Sequence, residues 1–215
     1  MREYEVIADR LAAECTGPVL DWGCGWGQVS SLLHERGVDV EAFDFRADEP
    51  VHEIELEQFS GFRVQVSGEP VGLPYPDDHF SAVLSCGVLE HVKDPDGSLD
   101  ELHRILRPGG RLYVYKLPNR LSYLEAIAKR VGLYYHGALP YDRLYDQTST
   151  RRILSSHGFR VDEVRLSNML PLTISHPLAA RHTDRIWTVN RALGRVPGLN
   201  RLATNVEAIA TALPR

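Results

Sequence analysis

Two hydrophobic periods alternate along the chain. Apolar residues at Val6, Ile7, Leu11 and Ala12 recur at helical spacing and stop before Gly17-Pro18, predicting a first helix over Tyr4–Ala13. The run Val19-Leu20-Asp21 predicts a strand, and the segment from Gln28 to Glu35 a second helix that halts at Gly37. Val38-Asp39-Val40-Glu41-Ala42-Phe43-Asp44 alternates as a second strand, and Phe62-Arg63-Val64-Gln65-Val66 predicts a third. Ala82-Val83-Leu84-Ser85-Cys86 is apolar in character, as suits a central parallel strand covered on both faces. Ser98 to Arg107 puts Leu99, Leu102, Ile105 and Leu106 on one helical face and ends at Pro108-Gly109-Gly110; a fifth strand follows over Arg111–Lys116. Strands separated by helices predict an α/β fold with a doubly wound, mostly parallel sheet that binds its ligand at the C-terminal strand ends.

Past Pro118 the pattern is less regular. Leu121 to Val131 has helical spacing, and Tyr134-Tyr135-His136-Gly137 with Pro140-Tyr141 forms a loop rich in rings. Thr148 to His157 is a helix with a capping start, and Arg160 to Arg165 alternates as a strand after Gly158-Phe159. Pro171 to Gly194 is basic and helix-prone. Val206 to Thr211 suits a last strand and nearly as well a helix.

The stretch Val19-Leu20-Asp21-Trp22-Gly23-Cys24-Gly25-Trp26-Gly27 joins the first strand to the second helix. Glycines at alternate positions open backbone conformations closed to other residues and let a ligand lie against the main chain, while the helix start adds free N–H groups. Asp44 ends the next strand 19 residues after Gly25. In nucleotide-binding α/β folds an acid roughly 20 residues on accepts hydrogen bonds from ribose hydroxyls. A nucleotide-like ligand is therefore expected, with Asp44 on its ribose.

Composition narrows the classes further. A chain of 215 residues favours one elaborated domain over two, and 43% hydrophobic with 25% charged residues is ordinary for a globular protein. A net charge of −5 gives no reason to expect nucleic acid. No apolar run approaches a membrane span, and Met1-Arg2-Glu3-Tyr4-Glu5 does not resemble a signal peptide. Cys15, Cys24 and Cys86 form neither a metal spacing nor an even disulfide framework, which fits reduced thiols in the cytoplasm.

Taken together, these motifs resemble class I S-adenosylmethionine-dependent methyltransferases. Val19 to Gly27 is similar to that family's first motif, with the acid two residues before the first glycine. Leu73-Pro74-Tyr75-Pro76-Asp77-Asp78-His79-Phe80 resembles its connection into strand four, and Glu101 to Leu112 its helix and turn into strand five. The resemblance spans about residues 17–166. It implies a seven-stranded sheet with a helical lid after strand five, in a single domain over 1–215 whose 1–118 half binds cofactor and whose 119–215 half receives the acceptor. An NAD fingerprint fits less well, because Gln28 stands at its third glycine position. A non-catalytic scaffold of the same fold is the other alternative.

The resemblance also implies site residues. Asp21 would help hold the methionyl amino end, with Gly23, Cys24, Gly25 and Gln28 along the cofactor and Asp44 and Phe45 at its ribose. Glu69, four residues before Leu73, would meet the adenine amino group, and Cys86 would offer its backbone near the methionyl end. Pro70 has no N–H for an adenine contact, and Ser81 replaces the acid common after Phe80.

A sulfonium donor is already activated, so the protein must align a nucleophile and, for a hydroxyl or amine, remove a proton. His91, just beyond strand four, is the candidate base; a histidine that packs the loop is the alternative. Some quinone-pathway O-methyltransferases that resemble this segment use a metal held by two acids and a histidine. Gly87 stands where the first acid would be, so no metal is expected. Tyr134, Tyr135, His136 and Tyr141 line either an acceptor pocket or the core of a small lid. Residues 181–201 mix arginines with apolar residues, which suits packing on the domain or a homodimer contact before it suits an anionic membrane surface. The acceptor is expected to be a small molecule, methylated at a hydroxyl oxygen.

Overall fold

The computed structural model describes residues 2–45, 61–69, 71–132, 142–169, 183–194, 196 and 198–215. Seven strands form one sheet in the order β3-β2-β1-β4-β5-β7-β6. They are β1 (Val19–Trp22), β2 (Val40–Phe45), β3 (Arg63–Ser67), β4 (Phe80–Cys86), β5 (Leu106–Pro118), β6 (Phe159–Ser167) and β7 (Asn205–Ala212). The first five run parallel, and β7 runs antiparallel to both of its neighbours. Parallel order and short crossovers place the C-terminal ends of β1 to β5 on one edge, where a doubly wound sheet binds ligands.

Helices cover both faces. α1 (Arg2–Glu14) and α2 (Gln28–Glu35) bury Ile7, Leu11, Val29 and Leu33 against Val19, Leu84, Tyr113 and Ile209. On the other face α3 (Pro95–Ile105) and α5 (Gln147–Ser156) bury Leu99, Leu102 and Leu154 against Leu20, Val83, Leu112 and Val206. α4 (Tyr123–Arg130) follows β5 and starts at Ser122, whose Oγ accepts the N–H groups of Leu124 and Glu125. α6 (Thr183–Leu193) lies against α1, while Val189, Val196, Leu199 and Leu202 stay exposed.

Two boundaries differ from the sequence expectation for identifiable reasons. α3 begins at Pro95, three residues before the expected Ser98. Asp94 caps the helix by accepting the Gly97 N–H at 3.0 Å, and Pro95 sits where a missing N–H costs nothing. β5 begins at Leu106, not Arg111: Leu106 pairs with Phe80, and a register shift before Ala82 absorbs Gly109 at φ 82°. The Pro-Gly-Gly tract is thus an excursion within a strand. Asn205–Ala212 is a strand, which resolves the last element in favour of the sheet.

The connection into β4 is held by charge. Arg104 donates to Glu101, to Asp77 and to the carbonyls of Leu73 and Tyr75, while Glu101 accepts the Leu73 N–H at 3.0 Å. Ser81, at the position where an acid was expected to be lost, donates to the Pro18 carbonyl at 3.0 Å and keeps an anchor there.

A second clamp joins α3 to the end of α5. Both ring nitrogens of His157 meet carboxylates, Nδ1 on Asp100 at 2.7 Å and Nε2 on Asp96 at 2.9 Å. Burial opposes charge on the ring, but the hydrogen bonds to Asp100 and Asp96 outweigh it and hold the imidazolium pKa above its ordinary value. A raised folded-state pKa contributes stability that is complete below the unfolded value and is lost as pH rises through the folded one. His157→Gln should therefore lower the melting temperature more at about pH 5.5 than at about pH 8.5. A gap of roughly 2–4 °C per kcal/mol is expected for a chain of this size. Equal losses at the two pH values would show that the imidazolium is not what stabilises the clamp.

Candidate functional site

β1 delivers the buried pair Asp21-Trp22 to the edge, and three glycines then turn the chain into α2. Gly23, Gly25 and Gly27 all have positive φ, at 77°, 52° and 66°. The N–H groups of Gly23 and Cys24 both donate to the Phe43 carbonyl, at 2.8 and 2.9 Å, tying the loop to β2 one residue before Asp44. A side chain at Gly23 would lie 2.4 Å from Val88 Cγ2, whereas at Gly25 it would meet nothing within 4 Å. The loop is therefore packed on one side and open on the other.

Asp21 organises this turn. Its carboxylate is 2% exposed and accepts the Ser30 hydroxyl at 2.5 Å together with the Ser30 backbone N–H. Burial pushes its pKa up to about 6, Ser30 pulls it back and the nearby Asp44 adds to the rise. The Phe45 N–H donates to Asp44 at 2.8 Å, and the Phe45 ring is exposed at the end of β2. Gln28 opens α2 with its side chain exposed. Glu69 follows β3 with its side chain exposed and its N–H on Ser67 at 3.0 Å. Cys86 ends β4, and burial holds its thiol far above the usual range. The nine residues expected to bind cofactor thus fall along one edge, at the ends of β1 to β4.

The loop after β4 starts at Gly87 (φ 73°), whose N–H donates to the Tyr115 carbonyl at 3.0 Å. His91 Nδ1 lies 2.9 Å from Asp142 Oδ1, and its Nε2 lies 3.7 Å from Glu90 Oε1. Residues 142–145 strap this loop down. The Arg143 N–H reaches the Glu90 carbonyl, its guanidinium reaches the carbonyls of Val92 and Lys93, and Tyr145 donates to the Leu89 carbonyl. Val88 meanwhile packs at Gly23, so the histidine loop rests against the glycine loop.

Glu90, Asp142 and Arg143 were not apparent from the sequence. Asp142 and Arg143 lie about 50 residues from the groups they touch, in a stretch without periodicity. Glu90 lies in a string whose histidine alone drew a chemical reading. Among the described residues no three His, Cys, Asp or Glu side chains are grouped to hold a metal ion. Tyr134, Tyr135, His136 and Tyr141 lie outside the described residues.

The sequence pattern of the family described as "Methyltransferase domain" matches residues 2–164. The chain belongs to this methyltransferase family. It is 28% identical to a probable S-adenosylmethionine-dependent methyltransferase of Mycolicibacterium smegmatis, over 98% of this chain and 78% of that one. It is 33% identical to the ubiquinone biosynthesis O-methyltransferase of Pseudomonas aeruginosa, over 55% of this chain and 53% of the relative, and so spans about half of that protein. Its fold matches that of Burkholderia thailandensis 1,6-didemethyltoxoflavin-N1-methyltransferase, determined with S-adenosylhomocysteine bound, at a TM-score of 0.61 and 19% identity over 99% of this chain and 78% of the other. This methyltransferase therefore uses S-adenosylmethionine. The residues present fit the cofactor: the loop is open at Gly25, three glycines carry positive φ, and Asp44 lies beside the loop. No helix among the described residues is long and apolar enough to cross a membrane.

Glu90 gives the site a measurable signature. Glu90 is 3% exposed, and among the described residues its Oε2 has no hydrogen-bond partner. Burial pushes its pKa up to about 7, against the opposing pull of His91 and Lys116. The stability of a protonated, buried Glu90 is complete below the unfolded value and lost as pH rises through about 7, where the folded protein must bury a charge. Glu90→Gln should melt with wild type at about pH 5 and above it at about pH 8.5, by roughly 2–3 kcal/mol in unfolding free energy. A variant less stable at the higher pH would show that the carboxylate is compensated in the folded state.

Proposed function

We propose that this methyltransferase transfers a methyl group to a hydroxyl oxygen of a small-molecule acceptor, with His91 as the general base. The contact that carries this reading is His91 Nδ1 to Asp142 Oδ1 at 2.9 Å. A carboxylate there holds the proton on Nδ1, which leaves the Nε2 lone pair to accept the acceptor's proton. Asp142 is 6% exposed at its side chain and His91 43%, so the orienting group is buried and the reactive nitrogen is reachable. Glu90 Oε1 lies 3.7 Å from the same Nε2.

Bound S-adenosylmethionine supplies a methyl group already activated on a sulfonium. In this proposal Gly23, Cys24, Gly25 and Gln28 lie along the cofactor, and Asp44 accepts its ribose hydroxyls beside Phe45. Glu69 faces the adenine end, and Cys86 with the loop shaped by Asp21 faces the methionyl end. Tyr134, Tyr135, His136 and Tyr141 line the acceptor; Tyr141 directly precedes Asp142 in the chain, which supports that placement. The O-methyltransferase relative supports oxygen as the acceptor atom. Cys15, Cys24 and Cys86, which form no disulfide among the described residues, support a reducing, cytoplasmic setting.

Calorimetry should show S-adenosylmethionine binding to Asp44→Ala at least ~10-fold more weakly than to wild type, a loss typical of hydrogen bonds to a charged group. Unchanged affinity would remove Asp44 from the site. With an acceptor found by screening phenols, quinols and amines, His91→Ala should lower kcat by roughly 10²–10⁴-fold at unchanged cofactor affinity. Asp142→Asn should act in the same direction and alter the pH profile. Full turnover in His91→Ala would rule out the base, and transfer to amines alone would rule out oxygen.

A further inference from the structure

β5 departs from its own alternation at Lys116. Leu112 and Val114 enter one core while Tyr113 and Tyr115 enter the other, and strict alternation would send Leu117 to the tyrosine side. Leu117 instead lies with Leu112 and Val114. An extra residue accounts for this. Between the pairs Val114–Ala208 and Leu117–Val206, β5 advances three positions while β7 advances two. Lys116 takes up the bulge, in the left-handed region at φ 64°.

The bulge turns Lys116 toward the first turn of α1. Its Nζ lies 3.0 Å from Tyr4 Oη, 3.4 Å from Glu3 Oε2 and 4.2 Å from the Tyr4 ring centroid. Asn168, just past β6 and also left-handed at φ 63°, donates to the other Glu3 oxygen at 2.6 Å. Two uncommon backbone conformations thus converge on one carboxylate. Such outliers persist where surrounding structure enforces them and cluster at functional sites.

Lys116 belongs to the same edge as the site. Tyr115, which precedes it, pairs with Cys86 and accepts the Gly87 N–H. The charge of Lys116 acts on both Cys86 and Glu90. Its side chain is 19% exposed, enough for contact with a ligand. A bulge does not require a lysine, since glycine adopts this φ without strain, and Asn168 already holds Glu3.

We propose that Lys116 is the specificity-determining residue of the acceptor site, its ammonium receiving an ionised oxygen of the acceptor, carboxylate or phenolate, where Glu3 now stands. Glu3 is tethered by Asn168 through its other oxygen, so Lys116 exchanges its longer 3.4 Å contact for the acceptor without releasing α1. The proposal rests on the reading that the acceptor binds beside His91.

The test uses the full chain saturated with S-adenosylhomocysteine and two probes of like shape, benzoate and benzamide, titrated by calorimetry. Wild type should bind benzoate at least ~10-fold more tightly than benzamide, and Lys116→Met should reduce that ratio to about twofold or less. Glu3→Gln, which keeps the lysine and removes its competitor, should strengthen benzoate binding about three- to tenfold. Retained S-adenosylhomocysteine affinity verifies that each variant is folded. A ratio that survives in Lys116→Met, equal or absent binding of the probes by wild type, or no gain in Glu3→Gln overturns the assignment. These are binding measurements, so they fail or succeed independently of the turnover of His91→Ala.

Discussion

The hydrogen bonds from Ser30 to the buried Asp21 carboxylate fix how β1 becomes α2, and the rest of the site is placed relative to that turn. An acid with 2% exposure needs partners, because an unpaired buried carboxylate is expensive. Ser30 sits in the first turn of α2, where backbone N–H groups lack helical partners and an anion is favoured. One contact therefore satisfies the acid and the helix start together. Positions 23, 25 and 27 of the turn close in left-handed conformations, which is why glycines occupy them.

From that turn the geometry propagates outward. Gly23 and Cys24 bond to Phe43 and so hold the loop next to Asp44, while the absence of a side chain at Gly23 admits Val88. Val88 belongs to the loop that carries Glu90 and His91, and the segment from Asp142 to Tyr145 fastens that loop from the far side. His91 is thus not placed by its own strand alone. A loop held by main-chain bonds to one arginine keeps His91 in one position, as the proton transfer proposed for it would demand.

Much of this was legible in the sequence because it is local. The glycine turn, the acid near the end of β2 and the apolar β4 are each written in contiguous residues, and their order implied the parallel half of the sheet. Contacts across long separations were not legible. Nothing near Asp142 signals that it meets His91, and nothing in Arg111–Lys116 signals a bulge, since Tyr113 and Tyr115 are buried as well as Leu112 and Val114. A strand covered on both faces erases the alternation that would reveal a register change. The ambiguity of β7 has the same origin: Val206, Ala208, Ile209 and Ala210 are all buried, and a run apolar on both faces fits either element.

The distribution of cost across the molecule separates its two ends. At the C-terminal edge lie an acid held near pH 6, another held near pH 7 with an oxygen lacking a partner, and two non-glycine residues at positive φ. In the connection into β4, by contrast, the charges are matched: Arg104 satisfies Glu101, Asp77 and two carbonyls, and Arg107 donates to the Asp78 carbonyl. Folding stability alone would select the second arrangement at both ends. Among the described residues, the acids whose pKa values burial raises, Asp21 and Glu90, lie where β1 and β4 end, while the two apolar cores supply the stability that offsets them.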